Sequence, residues 1–552
     1  MADMIGRASA LLASGTVVSR ILGFVKVVVL ARTIGQTGVG ADAFALANQL
    51  PNNIFLIVAG GVLSAILVPQ IVRAGTGRDG GVAYTNKIVT LGIVVLAGTA
   101  LLATIASPLV ITLYGLSGLE AGTEQNQTLQ LAIAFGFWCF PQVFFYGLYS
   151  LLGETLNARK VYGPFTWAPV LNNVVAIAGL LVFSALFGPD PYGVSTLAEW
   201  TQAQVVVLAG SATLGVAAQA LVLGLFWRRA GLRFRPDFDW RGVGLRRTGK
   251  QAGWIFAMVV AMQIAGIVTN NVAFDATGYA SVAVLANAWL LFMLPQSVIT
   301  VSVTTVYFTR MSEHEATGDR AAIRDDLSAA IRLCGVLVTL AMAAMMVLAF
   351  PIASIFTSGD PWVTQAMAWV IVAHLAGLMF YTCVFVIQRT FYALGDTRTP
   401  FVFTVVQLAI FAGGSLVVAA AVPREHIAVT LASIESVSFV VQLVIAGVML
   451  RRRMGVPLGL PAVFARLAVF LGAAAVAAVP GLAVAWAMGA FAPEGFAVGS
   501  IPGALLASLC VSGAMAAAYV AALALFRAPE LGPALRPIAG RLARRRGRGP
   551  RE

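Results

Sequence analysis

Arg20 and Lys26 lie inside the first long apolar stretch of the chain, LLASGTVVSRILGFVKVVVLARTIG. A cation at mid-membrane depth costs about 2.5–3.5 kcal/mol on insertion scales, so it usually faces a wet cavity or a partner rather than lipid. Arginine offers phosphate a two-pronged donor fork, and lysine a point charge. The two residues are expected to face roughly one side of a helix, as a cationic ladder suited to a phosphate or carboxylate. Arg32 adds a third cation near the outer end. In the plainer alternative, Lys26 and Arg32 snorkel outward and only Arg20 is deep. The next stretch opens at Asp42 and runs through Asn48, Gln49, Asn52 and Asn53 around Pro51. Asp42 is either a helix N-cap or a counter-charge to Arg20 or Lys26. The amides either satisfy carbonyls freed by the proline or line a cavity.

Farther along, Asn270, Asn271, Asn287 and Gln296 supply an uncharged polar lining, and Asn172 and Asn173 are expected to start a helix. Glu154 and Arg389 read as interfacial. Glu435 stands alone among Ser433, Ser436 and Ser438 in an apolar run, which makes it a candidate ion-coupling carboxylate. Nothing points to catalysis: GxxxxGK[ST], GxSxG and HExxH are absent, and the run GTGRDGG at 75–81 has no strand before it. Cys139, Cys334, Cys383 and Cys510 read as small packing residues, and His314, His374 and His426 have no metal-ligand spacing. Neither a metal nor a cofactor is expected, and the chain does not read as an enzyme.

The elements that must position these residues are membrane helices. Of 552 residues, 59% are hydrophobic and only 11% charged, with a mean hydropathy of +0.88. This composition predicts an all-α, polytopic membrane protein with no soluble domain. The start of the chain lacks a cleavable-signal pattern. About fourteen spans are expected: 9–35, 40–72, 82–114, 127–156, 162–187, 203–229, 248–274, 280–309, 325–356, 362–394, 399–421, 426–451, 460–488 and 500–526. The net charge of +13 comes from basic residues in short loops that alternate with acidic or neutral loops. That pattern excludes a nucleic-acid surface and puts both termini in the cytoplasm.

The chain also reads as duplicated. YGLYSLLGETLNARKVYGPF and YTCVFVIQRTFYALGDTRTPF both close on Pro-Phe, and LANQLP is echoed by LANAWLLFMLP. Both members of each pair share an orientation, which implies a parallel repeat about an axis along the membrane normal. The expected organisation is an N-lobe over 1–230 (six helices) and a C-lobe over 231–455 (six helices). Two helices over 456–530 follow, then a basic tail over 531–552 lying on anionic headgroups.

The order SRILGF with Lys26, ADAF, LPN, LFMLPQSVITVS and FYALGDTRTPF resembles the MurJ (MviN) family of lipid II flippases, in its actinobacterial branch. The resemblance covers about residues 9–452. That family belongs to the multidrug/oligosaccharidyl-lipid/polysaccharide exporter superfamily. The resemblance implies two six-helix lobes with two extra helices forming a lipid-tail groove. It implies carriage of lipid II, an undecaprenyl-pyrophosphate glycopeptide, from the inner to the outer leaflet of the bacterial plasma membrane for peptidoglycan synthesis and cell shape. Arg20 matches the helix 1 arginine of the family motif, Lys26 takes the place of a second arginine, and Asp42 matches the Asp-Ala-Phe aspartate. Proteobacterial members carry a lysine where Gln49 stands, an arginine near Phe55, and an Asp-Arg pair where this chain has Trp289 and Leu290.

The resulting expectation is a flippase working by alternating access. Arg20, Lys26, Asp42, Asn48, Gln49, Asn52, Asn53, Asn287 and Gln296 are its substrate-binding set, and Glu435 is the candidate ion-coupling residue. Lipid II and membrane lipids are the expected partners, with cell-wall synthesis or division proteins beside them. The alternatives are a drug/cation antiporter or another polysaccharide-lipid exporter of the same superfamily, and a non-transporting cell-wall scaffold.

Overall fold

The computed structural model describes residues 2–58, 82–159, 161, 163–239, 249–530 and 532. The end of the second expected span, the GTGRDGG run and nearly all of the basic tail lie outside the described residues. Among those described the fold is all-helical, without strands. The helices are α1 (Ala2–Ile34), α2 (Val39–Val58), α3 (Val82–Ile105), α4 (Ser107–Tyr114), α5 (Glu124–Cys139), α6 (Gln142–Ala158), α7 (Gly163–Phe187), α8 (Gln202–Gly224), α9 (Gly249–Phe274) and α10 (Val282–Pro295). They continue as α11 (Val301–Ala316), α12 (Arg320–Val347), α13 (Ala349–Thr357), α14 (Pro361–Ala376), α15 (Leu378–Ala393), α16 (Arg398–Ala421), α17 (Ile427–Met454), α18 (Leu460–Ala487), α19 (Phe496–Gly499) and α20 (Ile501–Leu525). Eleven helical stretches of the described residues are long and apolar enough to cross a membrane, or twelve if the bent pair α5–α6 is one span. The chain is thus a multi-pass membrane protein. The first two expected spans fall on α1 and α2.

Local chemistry explains the breaks within spans. Pro141 lacks an amide hydrogen, and α5 and α6 meet there at a 40° bend. Beyond Pro295 the chain makes a π-helical turn over Gln296–Thr300 before α11, a wider turn that absorbs the lost hydrogen bond. The α14–α15 break falls at Gly377, where a Cβ would stand 2.7 Å from Ser436 Oγ. Helix starts are capped: Thr201 and Gln204 form a reciprocal box, and Asp360 accepts from the amides of Trp362 and Val363.

The chain divides into two compact units. The first comprises Met1–Val284 with Phe356–Ser358 and Ser415–Ile427. In it α7 and α8 pack closely because small residues line their seam: Gly179 meets Ser211, and a Cβ on Gly215 would stand 2.6 Å from Asn172 Oδ1. An edge-to-face chain of Phe44, Phe135 and Trp200, with centroids 5.5 and 5.4 Å apart, fills its core. The second unit comprises Leu285–Ile355, Gly359–Gly414 and Ala428–Glu552. There α18 and α20 pack on α12: Gly335 lies against Leu467, Gly481 against Met515, and the Tyr519 hydroxyl donates to Val336 O at 2.9 Å. Arg466 holds Glu530 by two hydrogen bonds of 3.2 and 2.9 Å, fastening the chain after α20 to α18.

Candidate functional site

Arg20 and Lys26 do not share a face of α1. At 3.6 residues per turn, a separation of six leaves about 120° between side chains, which corrects the expected ladder. Arg20 is exposed. Lys26 is half-buried and turned into a pocket of about 60 Å³ within the first unit, among α1, α2, α6, α7 and α8. Its polar lining is Asn48, Gln142, Tyr146, Asn172 and Ser211, with Phe44 and Leu180 as walls. Gln142 Nε2 donates to Asn48 Oδ1 at 3.1 Å and to Thr213 Oγ1 at 3.0 Å, while its buried Oε1 has no partner. Asn172 Nδ2 donates to Gln219 Oε1 at 2.9 Å. Neither Arg20 nor Lys26 has an ion pair among the described residues. The pocket has room for a few waters, since each needs roughly 10–15 Å³ of accessible volume, and is too small for a pyrophosphate headgroup.

Asp42 is fully buried and makes no ion pair with Arg20 or Lys26. Its Oδ1 accepts the Ala283 backbone amide at 2.9 Å, and its Oδ2 has no partner. Ala283 is the second residue of α10. Asp42 therefore stands at the N-terminus of α10, not of its own helix, where the exposed amides and the helix dipole favour an anion. Gln49 and Asn52 are exposed, and the main-chain oxygen of Asn53 accepts from Gln263 Nε2 at 2.8 Å. Asn172 and Asn173 sit mid-way along α7 rather than at its start, because the helix begins at Gly163. Asn173 Nδ2 bonds Ser19 O at 3.0 Å and ties α7 to α1.

In the second unit, Gln296 is buried in the π-helical turn and its Oε1 accepts from Thr382 Oγ1 at 3.0 Å. Asn287 is half-buried. Glu435 is not isolated: its Oε2 lies 3.2 Å from His374 Nδ1, with the two side chains 16% and 5% exposed. The Ser436 hydroxyl donates to the main-chain oxygens of Ala373 and His374. Sequence reasoning missed His374, Gln142 and Tyr146. A histidine and a carboxylate isolated in separate apolar stretches were the available signal for the pair. Arg389 lies over the rings of Phe385 and Tyr392, at 5.0 and 5.8 Å.

Comparison with known proteins then fixes the family. The profile described as "Lipid II flippase MurJ" matches residues 30–507. The chain belongs to the lipid II flippase MurJ family. Among its relatives is a "Probable lipid II flippase MurJ" of Haemophilus influenzae, 26% identical over 446 residues, covering 76% of this chain and 81% of that one. A protein of the same description from Vibrio cholerae is 25% identical, covering 70% of this chain and 72% of that one. Among solved structures, "Lipid II flippase MurJ, inward closed conformation" superposes with a TM-score of 0.67 at 18% identity, covering 91% of this chain and 98% of that one. An inward-facing multidrug resistance MATE family transporter of the MOP superfamily gives 0.62 at 16% identity, over 79% of this chain and 94% of that one. In this MurJ-family chain, Trp289, one of the two positions where relatives were expected to carry an Asp-Arg pair, joins an aromatic wall instead. Trp289 stacks on Phe292 at 4.8 Å and meets the His374 ring edge-on at 5.9 Å. Tyr381 also meets the Trp289 ring edge-on, and Glu435 lies behind His374.

Proposed function

We propose that this MurJ-family protein carries lipid II from the inner to the outer leaflet of the bacterial plasma membrane by alternating access. In this reading α1 and α2 also cross the bilayer, which makes fourteen spans with both termini in the cytoplasm. Residues 1–230 and 231–455 are the two rocking lobes, and α18 with α20 guides the polyprenyl tail. Arg20 and Lys26 hold the pyrophosphate in the course of transport. Asn48, Gln49, Asn52, Asn53, Asn287 and Gln296 face the polar headgroup during part of the cycle, Asp42 braces the site through α10, and Glu435 is the ion-coupling carboxylate.

The observation that carries the reading is that Arg20 and Lys26 on α1, in a chain of this family, have no ion pair among the described residues. A membrane cation kept without a counter-ion is costly to hold, and a transient anionic ligand accounts for its retention. The inside-negative potential then helps to reset an emptied cationic site, by about 2.3 kcal/mol per full charge per 100 mV. The test is depletion of the protein in its host, with lipid II accumulating in the inner leaflet, followed by rescue with Lys26 variants. Lys26→Arg is expected to rescue because charge and reach survive, whereas Lys26→Gln is expected to fail. Full rescue by Gln at normal expression removes Lys26 from the substrate site.

A further inference from the structure

The end of α8 carries a second collection of unpaired cations, away from α1. After Gly224 the chain turns through Trp227, Arg228 and Gly231, which has a φ of +73°, and leaves as an extended strap along α3. Three contacts pin that strap: Asn86 Nδ2 to Arg233 O at 3.2 Å, Asp237 N to Thr90 Oγ1 at 3.0 Å, and Lys87 to Asp239 at 2.9 Å. Between strap and bundle lies a cleft of about 1020 Å³ inside the first unit. One part is basic, with Arg228, Arg233 and Arg235; the other is aliphatic, with Val89, Ile93 and Leu148. All three arginines are exposed, and none has an ion pair among the described residues. Trp227 also lines the cleft; it is 7% exposed and its buried Nε1–H has no acceptor.

We propose that this cleft is a binding site for one anionic membrane phospholipid, its phosphate on Arg228, Arg233, Arg235 and the Trp227 indole N–H, its acyl chain along Val89, Ile93 and Leu148. Charge complementarity and the amphipathic lining select this occupant. Guanidinium forks match phosphate oxygens, whereas a soluble anion leaves the aliphatic half of the cleft unused. The cations also lie beyond a helix C-terminus, whose partial negative charge of about half a unit repels an anion. Three full positive charges outweigh it. The second unit repeats the device. Arg452-Arg453-Met454-Gly455 at the end of α17 parallels Arg228-Arg229-Ala230-Gly231, and Gly455 has a φ of +68°. A cleft of about 830 Å³ there is lined by Arg451, Arg452, Val448 and Leu458. It has two arginines and no indole, so it is the weaker site.

The site is independent of the transported substrate, and the test does not use transport. Full-length protein in a neutral detergent is titrated with phosphatidylglycerol, and bound lipids are counted by native mass spectrometry. The expected result is one tighter and one weaker lipid. Replacing Arg228, Arg233 and Arg235 together by Gln should weaken the tighter lipid at least tenfold, since all three cations near the lipid phosphate are lost. Trp227→Phe should weaken it severalfold with the fold intact. The matched control, Arg544, Arg545 and Arg546 to Gln in the basic tail, should leave it within twofold. Equal losses in the cleft and tail variants would reduce the effect to general charge attraction and overturn the proposal. So would unchanged binding in the cleft variant, or displacement by millimolar inorganic phosphate as effective as by lipid. Rescue of a depleted host by the cleft variant leaves the flippase reading untouched.

Discussion

Asp42 separates two accounts of how its carboxylate is used, and replacing it decides between them. In Asp42→Ala the buried Ala283 amide loses its acceptor, which costs about 1–3 kcal/mol. The first turn of α10 also loses an anion, worth roughly 0.3–1 kcal/mol and up to about 2 in partly buried geometry. Some cost is returned, because Oδ2 has no partner and no longer has to be buried. The net expectation is a loss of about 2 kcal/mol for Ala. Asp42→Asn keeps a carbonyl oxygen at the same place, 2.9 Å from the Ala283 nitrogen in the parent. It should lose about half as much. The assay is thermal unfolding of purified protein in one detergent, run beside complementation of a depleted host. Asn is expected to complement and to unfold at a temperature between the parent and Ala. An Ala variant as stable as the parent would refute the capping argument. An Asn variant of near-parent stability that fails to complement would show that the charge itself takes part in transport.

Other expectations follow from the same geometry. Arg20→Ala should insert and express normally yet fail to complement, because the exposed side chain makes no ion pair among the described residues while the proposed pyrophosphate loses its bidentate partner; full complementation would remove Arg20 from the site. Single cysteines at position 195 should label from outside intact cells and at position 240 should not, and the reverse pattern would sink the proposed orientation. Glu435→Gln preserves a hydrogen-bonding atom beside His374 Nδ1 but not the charge, so protein level and unfolding temperature should stay near parent while ion-coupled transport falls. Unchanged transport with Gln would assign the pair a packing role.

The helices were readable because apolar runs of about 20 residues have few alternatives in a bilayer. Their breaks were partly readable too. Pro141 and Pro295 stand in plain view, yet the 127–156 stretch was expected as one rod because nothing in its composition says how far a proline bends a helix. Side-chain direction was harder. Arg20 and Lys26 were placed on one face, although a six-residue spacing turns them about 120° apart. Asp42 reads from sequence as a cap of its own helix or a counter-charge to Arg20 or Lys26, and neither reading reaches its partner Ala283, 241 positions away. His374 was discounted for lacking metal-ligand spacing, and only the packing of α14 on α17 brings it to Glu435.

The half-buried charges of Glu435 and Lys26 are handled in opposite ways. Glu435 has the His374 imidazole at 3.2 Å, itself backed by Phe292, so it has a partner within its own unit. Lys26 has amides, a phenol and a small polar pocket, but no anion among the described residues. A carboxylate locked to a neighbour suits a group that acts by changing its own state. A cation left without a counter-ion suits one that waits for a charge brought from outside, because breaking a buried pair costs about 3–5 kcal/mol on each cycle. The pocket around Lys26 is too small for a headgroup, so the pyrophosphate must meet this cation after the side chain swings out or the helices around it part. Lys26→Arg and Lys26→Gln probe that step directly. The longer guanidinium still carries a charge to a substrate outside the pocket, while the amide has none to offer it.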